Sequence, residues 1–313
     1  MLELDGGIRR VTFDLPLGID HVHCYLLPTS GGGWTIVDTG LGLPDAEERW
    51  ARLLGELDGA VERIVITHFH PDHVGAAADV AALTGAPVYE GGDDYDQCVR
   101  TWGERRNEEV MPQYLRVHGV PEPEIEEFRA DARGFVRFVR FVRDPEPLEP
   151  GDVVDAWEVL QLPGHADGHR ALLRDGTLVA GDTLLGSITP NVGLYPDSRP
   201  DPLGDYLESL RRIVQLAPRL ALPGHHEPIQ DPAGRAEELI AHHDERLERT
   251  AAALDGRPQS AYAVSFSLFA EPLSSTLRRF ALAETRAHLE YLVQRDSARR
   301  VEEDGRVTYA TSG

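Results

Sequence analysis

The sequence predicts an α+β fold in which two packed β-sheets are covered by helices. Short apolar segments bounded by Gly and Pro alternate with longer amphipathic segments, as expected for mixed strands and helices. Several apolar segments are followed within three residues by histidine or aspartate, and functional residues commonly stand on loops held by a rigid sheet. Together these observations indicate packed sheets whose strand ends carry a site.

The first half of the chain predicts strands and helices in turn. The apolar spacing after residue 46 and the alanine-rich run after residue 74 indicate helices. An acidic, proline-rich connector follows at residues 144–152. The predicted strands cover residues 11–13, 24–27, 34–37 and 86–89, and the predicted helices cover residues 46–57 and 74–83.

The most informative stretch is residues 67–73, Thr-His-Phe-His-Pro-Asp-His, which follows a short apolar run. His68 and His70 lie two apart, so in extended backbone they point the same way and can bind one ion. Asp72 and His73 come after the proline turn and can face a second ion. Neutral imidazole and carboxylate are ligands of Zn²⁺ and also suit Fe and Mn. The alternative is a surface loop that is rich in histidine.

Three further strand ends repeat this arrangement downstream. His165 and His225 each follow an apolar segment and a Pro-Gly pair, and Asp182 follows an apolar segment that ends in Gly. Glycine at such a turn permits unusual dihedral angles and a close approach of the backbone. The spacing shows that seven candidate metal ligands exist: His68, His70, Asp72, His73, His165, Asp182 and His225.

This ligand set, with the Asp-Thr-Gly element at residues 38–40, resembles the metallo-β-lactamase superfamily over about residues 8–230. Within that superfamily it is similar to the hydrolase branch that includes glyoxalase II and the lactonases. The resemblance implies an αββα four-layer sandwich and two divalent ions, with zinc expected first and iron or manganese as alternatives. It also implies that His68, His70 and His165 hold one ion, that Asp72, His73 and His225 hold the other, and that Asp182 bridges them.

The implied function is that of a dinuclear metal-dependent hydrolase. Two adjacent cations lower the pKa of a bridging water, and the resulting hydroxide attacks a small ester, thioester or lactone. Asp72 is the candidate catalytic residue, which orients the hydroxide or carries its proton to the leaving group. No Gly-x-Ser-x-Gly nucleophile elbow is present, in agreement with this chemistry. The alternatives are a metal-dependent nuclease or phosphodiesterase and a nucleic-acid-binding regulator.

Other polar residues near these motifs are assigned structural roles. Asp38 either fixes the ligand loop through hydrogen bonds or serves as a turn residue. His169 is expected to hydrogen-bond a neighbouring loop, and the side chain of His226 is expected to point away from the ions. Tyr195 is interpreted as a packed aromatic residue, with donation to a substrate oxygen as the alternative. The remaining residues that we do not assign to metal are His21, His23, Cys24, His242 and His243.

The chain is predicted to divide into a catalytic domain, residues 1–232, and a C-terminal domain, residues 233–313. A helical insertion at about residues 93–143 is expected to form a lid over the site. Its arginines at 133, 137, 140 and 143 have the spacing of one helical face. They are interpreted as solvated or paired with Glu124, Glu126 and Glu127, and the alternative is attraction of an anionic substrate.

The C-terminal domain is predicted to be helical and winged-helix-like. Helices over residues 235–254, 277–282 and 284–293 precede a hairpin at 301–309 with Asp-Gly at its turn. Because the candidate recognition helix mixes arginine with glutamate, we interpret the tail as a packing, pocket-capping or dimerisation module. Dimerisation through this tail would make the protein a homodimer.

Composition agrees with a cytoplasmic enzyme, for which the resemblance implies a small-molecule substrate. The formal net charge of −22 disfavours nucleic acid as a partner. The two cysteines do not form a disulfide framework, which favours a reducing compartment. Neither a signal peptide nor an apolar run long enough to cross a membrane is evident, so no membrane association is expected.

Overall fold

Two β-sheets form the centre of the molecule, and helices cover the outer face of each. The computed structural model describes residues 1–16, 18–104, 106–270 and 272–312, apart from the side chains of residues 131–133. Within these residues the first sheet has seven strands in chain order. They are β1 (Leu2–Glu3), β2 (Arg9–Asp14), β3 (His21–Pro28), β4 (Trp34–Val37), β5 (Val61–Val65), β6 (Val88–Glu90) and β7 (Glu146–Pro147).

The second sheet has five strands in the described residues, in the order β12-β11-β10-β9-β8. They are β8 (Val153–Val154), β9 (Trp157–Gln161), β10 (Arg170–Arg174), β11 (Thr177–Gly181) and β12 (Leu220–Pro223). A small third sheet near the C-terminus has the order β13-β15-β14. Its strands are β13 (Gln259–Ser260), β14 (Ala298–Glu303) and β15 (Arg306–Thr311).

The described part of the chain contains ten α-helices, and none of them is long and apolar enough to cross a membrane. Short 3-10 helices lie at Asp5–Gly7 and Val136–Phe138. The α-helices are α1 (Ala46–Leu54), α2 (Pro71–Val74), α3 (Ala77–Thr84), α4 (Gly92–Trp102), α5 (Val110–Val117), α6 (Glu122–Phe135), α7 (Pro202–Leu216), α8 (Pro232–Ala253), α9 (Ala261–Leu268) and α10 (Ser275–Gln294).

Strand periodicity explains why the central strands are apolar on both faces. Successive side chains of a strand point to opposite faces, so neighbouring residues enter different cores. Val65 packs in the core between the two sheets, whereas Ile64 packs in the core that the first sheet shares with α1 and α3. In the second sheet Val179 faces the first sheet, whereas Leu178 faces the core shared with α7 and α8. These layers confirm the αββα sandwich.

Strand direction brings the ligand-bearing loops together. Strands β4, β5 and β6 are mutually parallel, so their carboxyl ends share one edge. Strands β9 and β11 are both antiparallel to β10, and β11 is parallel to β12, so the carboxyl ends of these three strands also coincide. The sheets are joined at this edge, where the backbone N–H of His23 donates to Gly224 O at 2.7 Å.

Several predicted elements need correction. The helix predicted over residues 74–83 is two helices, α2 and α3, because the backbone turns at Gly75 and Ala76. Ala76 N–H donates to Gly40 O, and Gly75 O accepts from Arg140 N–H, so tertiary contacts take over the backbone groups at this turn. The helix predicted over 46–57 ends at Leu54, and the connector at 144–152 contains the edge strand β7.

The C-terminal segment also differs in detail from the prediction. The helices predicted at 277–282 and 284–293 are one helix, α10, since neither Gly nor Pro interrupts the run. Helix α9 was not predicted, and the hairpin β14–β15 extends beyond the predicted residues. The boundary at residue 232 stays a prediction.

The insertion packs against the C-terminal segment and shares a core with it. Tyr114 and Leu115 of α5 and Ile125 of α6 lie in one apolar cluster with Leu282 and Leu289 of α10. The predicted arginine face is wrong, because α6 ends at Phe135 and the chain beyond residue 138 is not helical.

The arginines of the insertion have other partners than predicted. Arg140 pairs with Asp79, and Arg143 pairs with Glu104. Arg137 stacks on the ring of Phe138. The side chain of residue 133 lies outside the described residues.

Replacing Tyr25 with Phe removes a hydroxyl that donates to Pro223 O at 2.7 Å and ties β3 to β12. We expect the free energy of unfolding to fall by about 1–3 kcal/mol, the usual cost of an unsatisfied buried group. Urea unfolding in the presence of a chelator measures this change without a contribution from bound ions. The control is Tyr89→Phe, whose hydroxyl has no hydrogen bond within the described residues. Equal stability of the two variants would contradict the expectation.

Candidate metal centre

Four of the predicted ligands form one end of the candidate centre. His68 Nε2 lies 3.0 Å from His70 Nδ1, and the ligand atoms of both lie within 4.8 Å of a nitrogen of His165. Asp182 Oδ2 lies 3.7 Å from His165 Nε2. Three imidazoles and one carboxylate therefore converge on a single point.

The other predicted ligands form the second end, and Asp182 joins the two. The ligand atoms of Asp72, His73 and His225 lie within 4.8 Å of one another. Asp182 Oδ1 lies 3.4 Å from His73 Nε2, and Asp182 Oδ2 lies 3.2 Å from His225 Nε2. The structure thus brings all seven predicted residues together. Two of their groups match those that the resemblance implies, and a third group, His68, His73 and Asp182, lies between them.

Local structure delivers each side chain to this point. His70 is the N-cap of α2 and Pro71 is the first residue of that helix, where its missing N–H costs nothing. Asp72 and His73 therefore project from the first turn of α2. Gly224 precedes His225, and a Cβ there would stand 2.6 Å from His73 Cε1, so only glycine lets the backbone pass this close.

Asp38 fixes the ligand loop through three hydrogen bonds. Its Oδ1 accepts from Thr67 N–H at 2.8 Å, and its Oδ2 accepts from Thr67 Oγ1 at 2.7 Å and from His73 Nδ1 at 2.8 Å. Of its two predicted roles, these hydrogen bonds support loop fixation; its φ is positive, at 60°, but no turn is assigned at residues 38–40. The bond to Nδ1 leaves His73 Nε2 free to face the centre.

Hydrogen bonds fix three other rings in the same sense. Thr67 Oγ1 gives its proton to Asp38, so it accepts from His68 Nδ1 at 2.9 Å. His165 Nδ1 donates to Asn191 O at 2.9 Å, and His225 Nδ1 donates to His21 O at 2.6 Å. Backbone oxygens only accept, so Nε2 of each ring carries the lone pair that a metal requires.

The inner atoms of the site face one another at 3.2–3.7 Å but make no hydrogen bond. His73 Nε2, His165 Nε2, His225 Nε2 and Asp182 Oδ1 are buried without a hydrogen bond in the described residues. Buried polar atoms are almost always satisfied, so a group of orphaned acceptors at one point indicates a bound ion. The donor set therefore fits divalent metal.

Charge leads to the same conclusion. Asp38 and Asp182 are buried and the Asp72 side chain is 14% exposed, yet no guanidinium lies within 4.0 Å of any of them among the described residues. Burial opposes protonation of His225, but Asp182 and Asp72 outweigh it and raise its pKa to about 10. Without a cation, protons on the imidazoles would balance the carboxylates, and a divalent ion would take their place.

The ligands of the first group stay neutral. Burial, followed by the neighbouring imidazoles, holds the pKa of His68 well below its ordinary value. Burial and His165 lower the pKa of His70 to about 3. Neutral imidazole is the form that binds metal, so this end of the centre is prepared for an ion over the physiological pH range.

The other predicted residues lie around the centre without facing it. His169 Nε2 accepts from Asp182 N–H at 3.2 Å, and its Nδ1 bonds Thr183 Oγ1 at 3.1 Å, as a loop-fixing residue should. His23 Nε2 bonds His226 O at 2.9 Å. His226 N–H donates to His21 Nε2 at 3.0 Å.

Residues farther from the centre are also accounted for. Tyr195 donates to Asn191 Oδ1 at 3.1 Å, which agrees with a packed aromatic residue that has a satisfied hydroxyl. His243 bonds His288 in the interior at 3.1 Å. Both cysteines, Cys24 and Cys98, are free and buried.

Sequence reasoning identified Asp38, which orients the His73 ring, but not the residues that orient the rings of His68, His165 and His225. Thr67 stands beside His68, and this adjacency was the available signal. Asn191 and His21 act through backbone oxygens, which every residue has, so no residue type marks them.

Comparison with known proteins agrees with this geometry. The profile described as metallo-beta-lactamase superfamily matches residues 17–225, more than half of the chain. A second profile, described as metallo-beta-lactamase-like, C-terminal domain, matches residues 247–312. The probable metallo-hydrolase YqjP of Bacillus subtilis is 30% identical over 298 residues, which cover 88% of this chain and 89% of that protein.

Solved structures add two likenesses. A metallo-beta-lactamase family protein, TTHA1429 from Thermus thermophilus, is 36% identical with a TM-score of 0.83 and covers 97% of this chain and 98% of that one. TTHA1623, solved in a di-iron-bound form, is 26% identical with a TM-score of 0.50 and covers 71% of this chain and 94% of its own. A further sequence relative, a hydroxyacylglutathione hydrolase of Alkalilimnicola ehrlichii, is 29% identical over 121 residues, 39% of this chain and 32% of that protein.

Profile, relatives, fold and convergent ligand set agree, and the chain belongs to the metallo-β-lactamase superfamily, as a metal-dependent hydrolase.

Proposed function

We propose that this protein is a dinuclear hydrolase that acts on a small ester, thioester or lactone. The observation that carries the proposal is the pair of ligand groups on either side of Asp182, with inner atoms that make no hydrogen bond within the described residues. One group alone would need a single ion. Two groups within reach of one carboxylate favour two ions, and zinc is the first candidate because imidazole and carboxylate suit it.

When bound, two such ions supply a Lewis acid for the substrate oxygen and lower the pKa of water to near neutrality. The chain's own residues would hold this chemistry in place. Burial opposes ionisation of Asp72, but His73 and His225 hold its pKa at about 2, so this residue is a carboxylate at neutral pH. It is the most exposed carboxylate of the centre, which suits a residue that orients water or passes a proton to the leaving group.

Two relatives support the substrate class and the number of ions. One is named as a hydrolase of a thioester, hydroxyacylglutathione, and another was solved with two irons. Iron therefore stays an alternative to zinc, as does manganese. A cytoplasmic location and a homodimer also remain predictions.

A nucleic-acid substrate or partner is disfavoured by the surface and by the C-terminal segment. The net charge of −22 repels a polyanion. Helix α10, which would be the recognition helix of a winged-helix unit, buries eleven of its residues and so offers little free surface to a groove. A small-molecule substrate agrees better with both observations.

The experiment that tests the proposal begins with elemental analysis of the purified protein. Turnover is then measured on thioesters, lactones, carboxylic esters and phosphodiesters, each with and without a chelator. We expect close to two equivalents of metal and chelator-sensitive hydrolysis of carbonyl substrates. Phosphodiester turnover alone, or a protein that binds no divalent ion, would overturn the proposal.

Replacing Asp182 with Ala removes the carboxylate between the two groups. We expect the loss of at least one equivalent of metal and a fall in turnover beyond the ~10–100-fold typical of an outer hydrogen-bond partner. Metal analysis and steady-state kinetics measure the two effects. Asp96→Ala, an exposed aspartate of α4, is the control. Full activity of the Asp182 variant would remove this residue from the bridge.

Replacing Gly224 with Ala places a methyl group against Asp182 Oδ1 and 2.6 Å from His73 Cε1. Because both atoms belong to side chains of the centre, we expect weaker metal binding, seen in competition with a chromophoric chelator. Gly92→Ala is the control, since a Cβ there meets no atom within 4 Å. Metal affinity equal to that of the control would mean that the close approach at Gly224 is not needed.

A further inference from the structure

We infer that the C-terminal segment positions the ligand His165 through Asn191 and Glu284. Neither residue is a ligand, and neither lies in the two central sheets. The inference rests on the proposed function in that His165 is taken to hold an ion. It assigns to the C-terminal segment a part in the metal centre that is distinct from packing, capping or dimerisation.

The first step is the orientation of the His165 ring. Its Nδ1 donates to the backbone oxygen of Asn191 at 2.9 Å, and its Nε2 is buried without a protein partner and lies 3.7 Å from Asp182 Oδ2. The carbonyl of Asn191 therefore sets both the tautomer of the ring and the direction of its lone pair. A displacement of this carbonyl would turn the ligand atom away from the centre.

The side-chain hydrogen bonds of Asn191 hold that carbonyl in place. Asn191 lies in a stretch without helix or strand, so no sheet ladder holds it. Its Nδ2 donates to Glu284 Oε2 at 3.1 Å and to Phe280 O at 3.4 Å, and its Oδ1 accepts from Tyr195 Oη at 3.1 Å. A carboxylate and a backbone oxygen only accept, so the amide has one consistent orientation. Helix α10 thus holds the side chain of the residue whose carbonyl orients His165.

Glu284 is itself held by an ion pair with Arg246. This side chain is 8% exposed, and Arg246 Nη1 of α8 lies 3.2 Å from its Oε1. Burial raises the pKa of Glu284, and Arg246 and the Asn191 amide oppose that rise. A buried carboxylate with one guanidinium and one amide on its two oxygens has little freedom to move. Arg246, Glu284 and Asn191 therefore form a continuous link from α8 to the ligand.

The link distinguishes His165 from the other oriented ligands. The rings of His68 and His73 are fixed by Thr67 and Asp38, and the ring of His225 is fixed by His21 O. All three of these partners belong to the first sheet or to the loops at its edge. Of these four histidines, His165 alone depends on a partner whose side chain is held by the C-terminal segment.

Asn191→Ala tests the link directly. The substitution keeps the backbone oxygen of residue 191 and removes the three side-chain hydrogen bonds that hold this residue in place. We expect about 10–100-fold weaker binding of one Zn²⁺ in chelator competition, the usual effect of losing an outer partner. In the metal-free protein we expect the hydrogen-bonded Nδ1–H signal of His165 to be lost from ¹⁵N–¹H imidazole spectra. Unchanged affinity or an unchanged His165 signal would overturn the inference.

A matched pair at Glu284 repeats the test from the other end of the link. Glu284→Gln keeps an oxygen that accepts from Asn191, whereas Glu284→Ala does not. We expect the Gln variant to recover most of the Zn²⁺ affinity that the Ala variant loses. Equal affinity in the two variants would contradict the link, because a purely structural role of the Arg246 pair predicts equal damage.

Tyr309→Phe is the control for general damage to the C-terminal segment. It removes a hydrogen bond of 2.6 Å to Glu290, also on α10 but away from Asn191, and should leave Zn²⁺ affinity and the His165 signal unchanged. A wild-type protein that binds none of Zn²⁺, Fe²⁺ and Mn²⁺ would defeat the proposed function, and the metal-free spectra of Asn191→Ala would then decide the inference alone. Tight wild-type binding that is also kept in Asn191→Ala would defeat only the inference.

Discussion

The rest of the structure depends on one electrostatic constraint, the burial of carboxylates without a matching guanidinium. Asp38, Asp72 and Asp182 meet at the edge of the sandwich among imidazoles, and no arginine pairs with them in the described residues. Burial of uncompensated charge is costly, so these carboxylates need positive charge at this point, either from protonated imidazoles or from a bound divalent ion. The two sheets bring the carboxyl ends of their strands together, and this packing holds the three carboxylates close to one another.

The residues that support the candidate metal centre are harder to recognise in the sequence the farther they lie from the ligands. The ligands themselves are histidines and aspartates at strand ends, and around them Asp38 and Thr67 lock the first loop. Beyond these, the backbone oxygens of Asn191 and His21 set two rings. Groups farther from the ligands are harder to recognise in the sequence. The geometry of the ligands therefore depends in part on segments that carry no motif.

The insertion and the C-terminal segment act as one body beside the sandwich. They share an apolar core, and α10 also reaches the stretch that carries Asn191 and Leu194. Arginines of the insertion, which the sequence placed on one helical face, pair with Asp79 of α3 and with Glu104 after α4. This region thus contributes positional support to the centre rather than a free cationic surface.

The sequence by itself determined the packed sheets and the seven candidate ligands, because strand periodicity and ligand type are local properties. The four layers and the grouping of the ligands came from the family resemblance. His169 was expected to hydrogen-bond a neighbouring loop, and its partners there, Asp182 and Thr183, lie 13 and 14 residues away in the chain. The break at Gly75, the single helix α10 and the partners of the arginines were decided by tertiary contacts between residues far apart in the chain. The orientation of the ligand rings was decided in the same way, since backbone oxygens such as that of Asn191 carry no side-chain signature and take their position only from the packed fold.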